Sequence, residues 1–237
     1  HGIEWCDFTW SPLSGCLGPN NDGVICPYCY ARKIAERFRG SKAFPNGFAP
    51  TWHPERLDEP LRRKKPSRIF AGSVTDFFGD WVSDDQLDAV FDVMADCPQH
   101  TFYLLTKQAG NIARRLYDGE TATRFMHRRA LPGNMWIGVS VTCTADLPRI
   151  AMLRDAWPGH KFVSFEPLLE MVGVPVLEGM EWIIVGQMTG RGAQRYTPKY
   201  VAVERIVDGA DRLGIPIFLK DNLTLPPGVE RRQGFPI

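Results

Sequence analysis

The chain has 237 residues, 44% hydrophobic and 23% charged, with a formal net charge of +1. That balance excludes a disordered or low-complexity chain and supplies ample apolar surface for a core. Six cysteines are too few for a disulfide scaffold of this length. No run is long and apolar enough for a membrane span and no signal peptide opens the sequence, so a reduced protein of the cytoplasm is expected, or of a host cytoplasm if a phage encodes it.

The opening, Ile3 to Pro12, is rich in Trp, Phe and Ile with partial alternation and predicts a first strand. It leads into a Gly/Pro/Asn-rich loop that carries Cys16, Cys26 and Cys29 at C-x9-C-x2-C spacing. A helix follows over Ala31 to Phe38, with Ala31, Ile34, Ala35 and Phe38 expected on its apolar face and its N-terminal amides toward the loop. Gly40 stops it, and the stretch to Pro60 is expected to be an ordered excursion. Arg62-Arg63-Lys64-Lys65 with Arg68 is the densest basic run, a solvated loop more readily than a phosphate contact.

A rhythm begins at Ile69 to Val74, a short apolar strand ending in Thr75-Asp76. Ser83 and Gln86 form a capping box ahead of a helix that buries Leu87, Val90, Phe91 and Met94. Thr101 to Thr106 is a strand, followed by Lys107 and a helix through Leu116. Met135 to Val141 is a strand, and Ala145 to Trp157 a helix with Pro148 near its first turn. Lys161 to Phe165 and Glu181 to Val185 are strands. Thr197-Pro198 opens a helix running to Leu213, and Pro216 to Leu219 is the last strand. Strands alternating with amphipathic helices imply βαβ units and a parallel sheet. The fold class expected is α/β, a complete or partial (β/α) TIM-like barrel of about six to seven parallel strands, in one domain over 1–237 with an irregular tail from about 222.

In such a barrel the functional face lies where strands end. Those positions are repeatedly polar here: the three cysteines, then Ser73, Thr75 and Asp76, then Thr106 and Lys107, Ser140 and Thr142, Glu166, Gln187, and Lys220 with Asp221. One such residue is a helix cap or strand stop; seven strand ends alike make a cofactor pocket. Thiolates clustered in a loop suit zinc or an iron–sulfur cluster. Zinc needs a fourth ligand, for which Cys6 or His53 is available, whereas three cysteines on a 4Fe-4S cluster leave one iron open.

Three cysteines after the first strand of a (β/α) barrel, followed by an aromatic residue and a helix, resemble the radical S-adenosyl-L-methionine (radical SAM) superfamily, although the spacing departs from its usual C-x3-C-x2-C. More narrowly, Ile3-Glu4-Trp5, Thr9-Trp10-x-Pro12, Gly15-Cys16 and Cys26-x-x-Cys29-Tyr30-Ala31 look like the opening of a radical-SAM-like family common in phages and prophages. Ser73-Val-Thr-Asp76-Phe77-Phe78, Leu105-Thr106-Lys107, Gly138-Val-Ser140 and Ser164-Phe-Glu166-Pro167-Leu168 match that family too. Two departures stand out: Gly186-Gln187-Met188-Thr189 where relatives tend to carry Gly-Gly-Glu, and Cys6 in place of a more usual Thr.

The resemblance implies a 4Fe-4S cluster on Cys16, Cys26 and Cys29, S-adenosyl-L-methionine as cofactor, and an electron donor of flavodoxin or ferredoxin type. It implies reductive cleavage of SAM to a 5′-deoxyadenosyl radical that abstracts hydrogen from a substrate. By position, Ser73, Thr75 and Asp76 would hold the methionyl ammonium, Lys107 a carboxylate, and Ser140 and Glu166 the ribose. Tyr28 or Tyr30 would pack on the cluster or the adenine, and Gln187 would face the substrate. The phage setting suggests isomerisation of an amino-acyl-modified thymine in DNA, with Arg191, Arg195 and Lys220 available to anions and the group Arg124, His127, Arg128 and Arg129 to a nucleic acid backbone. A small metabolite, a free nucleotide, or a non-enzymatic binding barrel built round zinc or a cluster are the alternatives.

Overall fold

A computed structural model describes residues 2–20, 22–117, 132–173, 175–190 and 193–236. Two compact units divide the chain, 1–136 and 137–237. The seven strands of the main sheet follow one another in chain order, and all are parallel, which is the partial (β/α) barrel expected.

In the unit 1–136, β1 (Phe8–Trp10) pairs in parallel with β4 (Arg68–Ala71), and β4 with β5 (Thr101–Thr106). β1 is shorter than the expected strand because residues 4 and 5 turn, which lays the Trp5 ring on Phe70 at 4.6 Å and on Tyr103 at 5.9 Å. Tyr103 in turn meets Trp136 at 6.1 Å. The excursion before Pro60 is ordered, as expected. It contributes β3 (Thr51–Trp52), whose antiparallel pairing with β2 (Leu13–Ser14) no sequence pattern foretells and which the buried Ser14 Oγ and His53 Nε2 close at 2.9 Å.

The helix after the cysteines, α1 (Tyr30–Arg37), buries Ala31 and Ala35, but Ile34 and Phe38 are 40% and 50% exposed, against expectation. Small side chains seat this helix close to Phe44 and Phe48, which turns the larger ones outward. α2 (Asp84–Ala95) has the expected capping box between Ser83 and Gln86, and it buries the four apolar residues read from its periodicity. α3 (Asn111–Tyr117) follows Lys107 and runs through Leu116, as expected.

In the unit 137–237, β7 (His160–Phe165) pairs with β8 (Trp182–Val185), and β8 with β9 (Ile217–Leu219). β6 (Met135–Ser140) runs across the division between the units. Pro148 stands at the first position of α4 (Pro148–Ala156), after a separate 3-10 turn at Thr144–Asp146. α5 (Tyr200–Leu213) starts at Tyr200 with Lys199 before it, rather than at Thr197-Pro198, because the Thr197 hydroxyl bonds back to Gln194 O at 3.2 Å. Gly214 closes it. The tail has no helix or strand of its own, yet Leu219 N–H donates to Arg232 O at 2.7 Å, and Phe235 packs on Trp182 at 5.7 Å and on Phe218 at 5.3 Å.

Trp182 is fully buried, and its Nε1 donates to Gly234 O at 2.8 Å, so one side chain ties the start of β8 to the tail. Trp182→Ala is expected to lower stability by about 3–5 kcal/mol, and denaturant unfolding measures it.

Candidate functional site

The cysteine loop leaves β2 through Gly15 and Cys16. Both Gly15 (φ 87°) and Gly18 (φ 88°) adopt the left-handed region, and a Cβ at either would strike backbone, Ala49 at 2.5 Å for the first and Val24 O for the second. The loop is stitched to the segment after β4: Gly15 N–H donates to Val74 O at 3.0 Å, Thr75 Oγ1 to Gly15 O at 2.7 Å, and the Tyr30 hydroxyl to Ser73 O. Gln108, missed in the sequence, completes the frame from the end of β5 by donating Nε2 to Gly18 O at 2.8 Å. Its only sequence signal was its place next to Thr106-Lys107.

Cys16 and Cys29 are half-buried, and each sulfur accepts a backbone N–H, from Gly18 at 3.2 Å and from Arg32 at 3.3 Å. The second bond is the N-cap of α1, so the helix terminus faces the thiol as expected. Cys16, Cys26 and Cys29 lie close enough to repel one another as thiolates. Burial pushes the Cys16 thiol up to about 12 and raises that of Cys29, so without a bound metal both stay protonated near neutrality. No three His, Cys, Asp or Glu side chains among the described residues stand as a ready-made metal site. The donor set nonetheless fits a thiophilic cluster: three thiols in mutual electrostatic reach, two already holding N–H donors, in a desolvated loop where a bound metal would displace the protons.

Neither candidate for a fourth ligand joins them. Cys6 precedes β1 while Cys16 follows it; its thiol is directed to Ile3 O and is pushed up to about 11 by burial, with Asp7 and Arg68 as its charged neighbours. His53 is engaged with Ser14.

Asp76 is buried and accepts three bonds, from Thr106 Oγ1 at 2.8 Å, Lys107 N–H at 2.8 Å and Phe78 N–H at 3.1 Å. It brackets the ends of β4 and β5, and its charge is felt at Cys16. Lys107 extends over the Tyr28 ring at 5.9 Å and its charge favours the thiolate of Cys29. The structure therefore brings together Cys16, Cys26, Cys29, Tyr28, Tyr30, Ser73, Thr75, Asp76 and Lys107 in one unit, with Ser73, Thr75 and Tyr30 serving as loop stitches.

The remaining expected residues stand in the unit 137–237. Glu166 is bonded by the Lys220 ammonium, Ser140 is buried, and Gln187 accepts from Thr224 N–H at 3.3 Å. Arg195 is exposed. The basic run is largely occupied: Arg62 pairs with Asp58 at 2.7 Å, Arg63 covers the Phe8 ring, and Arg68 pairs with Asp7 at 2.8 Å. Arg124, His127, Arg128, Arg129 and Arg191 lie outside the described residues. No helix among the described residues is long and apolar enough to cross a membrane.

The chain belongs to the family described as protein of unknown function (DUF5131), which matches residues 1–225. No curated protein matches it in sequence. Among solved structures it is similar to a spore photoproduct lyase variant, with 13% identity over 86% of this chain and 62% of the other and a TM-score of 0.50. A further variant of that lyase, with bound AdoMet and dinucleoside spore photoproduct, is 13% identical over 83% of this chain and 60% of its own, with a TM-score of 0.46. This chain thus spans about three fifths of the length of those proteins, and the first likeness carries the fold.

Asp76→Ala leaves three donors without an acceptor and is expected to cost about 2–3 kcal/mol, read from denaturant melts. Burial raises the Asp76 carboxyl above its ordinary 3.8, so the native state holds the proton more tightly and this group's contribution to stability falls as pH rises above that value. Asp76→Asn, which cannot ionise, is expected to remove that part of the pH dependence.

Proposed function

We propose that this protein is a radical SAM enzyme acting on a nucleobase in nucleic acid or a free nucleotide. The observation that carries the reading is the stitched loop that gathers Cys16, Cys26 and Cys29 beside Asp76 and Lys107 after the first strand of a partial (β/α) barrel. The fold, shared with spore photoproduct lyase, a radical SAM enzyme, supports it.

Cys16, Cys26 and Cys29 would hold a 4Fe-4S cluster, which when loaded supplies the electron for reductive cleavage of SAM. The amides of Gly18 and Arg32 stabilise charge on two of the sulfurs. Lys107 would bind the carboxylate of SAM, its backbone held by the N–H bond to Asp76. The segment Ser73 to Thr75 would border the methionyl ammonium while the Thr75 hydroxyl and the carbonyls of Ser73 and Val74 hold the cysteine loop in register. An electron donor of flavodoxin or ferredoxin type would reduce the cluster from outside. In its most specific form the proposed reaction is isomerisation of an amino-acyl-modified thymine in phage DNA.

Anaerobic reconstitution with iron and sulfide tests the reading. The expected product is a brown protein that cleaves SAM after reduction. Substituting Ser for Cys16, Cys26 or Cys29 abolishes the cluster absorbance, and substituting Cys6, Cys97 or Cys143 leaves it. A colourless protein that binds one zinc per chain and is indifferent to SAM would sink the proposal.

A further inference from the structure

We infer that the ends of β7, β8 and β9 form a subsite for a neutral ligand edge that presents an N–H beside a C=O, as the imide edge of a pyrimidine base does. Side chains alternate along a strand, so pairing fixes which residues share a face. Ser164 is paired with Ile184, and Ile184 with Phe218. The bond from Val141 N–H to Ser164 O at 2.9 Å sets Ser140 beside Ser164. Two residues further along the strands, the next row on that face is Glu166, Gly186 and Lys220.

That upper row is built round an ion pair. The Lys220 ammonium donates to Glu166 Oε1. Both side chains cross Gly186, where a Cβ would stand 2.9 Å from Lys220 Cδ and 3.2 Å from Glu166 Cδ. A side chain at this position would push the two members of the pair aside. Lys220 is only 9% exposed. The Glu166 side chain keeps 25% of its surface, so the pair is largely desolvated yet reachable from one side, and a buried ion pair is weak evidence of a stability role alone.

The surrounding polar atoms point to a further use. An ammonium has three donors, and among the described residues Lys220 commits one of them to Glu166. The hydroxyls of Ser140, 1% exposed, and Ser164, fully buried, have no hydrogen-bond partner among the described residues, nor does Asn222 Oδ1, while Asn222 Nδ2 is fixed on Gln187 O at 2.8 Å. The unpartnered atoms carry no exposed area, so they form the closed polar floor of the site, and the atoms left for a ligand are those of the upper row, where the Lys220 and Glu166 side chains keep 11% and 25% of their surface.

The chemistry selects the ligand. Glu166 cancels the charge of Lys220, so a phosphate or carboxylate meets a neutral pair rather than a cation. A vicinal diol is best gripped by both oxygens of one carboxylate, and Oε1 of Glu166 is already engaged. An acceptor next to a donor complements a donor next to an acceptor, which is an N–H adjoining a carbonyl. Ser140 and Glu166, which the resemblance assigned to a ribose, here serve a base edge. The inference rests on the proposed function only in taking that base for the substrate.

The test uses protein without cluster, so it stands or falls apart from the radical reading. Thymidine is titrated calorimetrically against wild-type protein, with thymidine methylated at its ring imide nitrogen as the control. The expected result is saturable thymidine binding, weakened at least about tenfold by the methyl group and by Lys220→Met or Glu166→Gln. Ribose and inorganic phosphate are expected not to compete. Equal binding of the methylated nucleoside, competition by ribose or phosphate, or no thymidine binding by folded wild-type protein would overturn the assignment. The methylated ligand probes the wild-type chain, so the result does not depend on the variants folding.

Discussion

The site in the unit 1–136 depends on the stitching of a glycine-rich loop to its neighbours. Cys16 is positioned by backbone rather than by its own contacts. Gly15 is held from both sides, by Val74 O at its N–H and by Thr75 Oγ1 at its carbonyl, and Gly18 is held by Gln108. Each bond reaches from beyond the end of a strand, β4 for the first two and β5 for the third, so forming the sheet is what shapes the loop. The left-handed backbone at Gly15 and Gly18 is the conformational cost, met by residues without a Cβ.

Electrostatics follow from that frame. Desolvation opposes charge on Cys16 and Cys29, and Asp76 adds to the opposition at Cys16. Working the other way are the amides at the two sulfurs and the charge of Lys107. A set of thiols that is reluctant to ionise alone and is provided with N–H donors is one whose ionisation waits on a metal. Asp76 has a similar balance: burial disfavours its charge, yet three donors converge on it and make it the brace between β4 and β5. In the other unit, Glu166 and Lys220 neutralise each other across a glycine.

Much of this was legible in the sequence, for reasons that are local. The period of α2 and its capping box named the buried residues Leu87, Val90, Phe91 and Met94, and the apolar and aromatic run of β5 fixed its span at Thr101–Thr106. The polar residues at strand ends followed from the βαβ rhythm. What escaped depends on distant partners. Ile34 and Phe38 have helical spacing like any core pair, and only the close seating of Ala31 and Ala35 on Phe44 and Phe48 turns them outward. Thr197-Pro198 is a sound helix start until the Thr197 hydroxyl is seen to bond to Gln194. The β2–β3 pair is too short to carry a period, and Gln108 reads as an ordinary loop residue until Gly18 lies against it. The Glu166–Lys220 pair joins residues 54 apart in sequence, which only strand pairing brings together.

The central claim is that Cys16, Cys26 and Cys29 bind a cluster with one iron left for SAM. Electron paramagnetic resonance of the reduced, reconstituted protein tests it most directly. The account predicts a reduced-cluster signal that shifts when SAM is added and that keeps its SAM-free form when Cys6 is replaced by Ser. A spectrum unchanged by SAM, or a protein with no such signal and zinc in the cysteine loop, would contradict it.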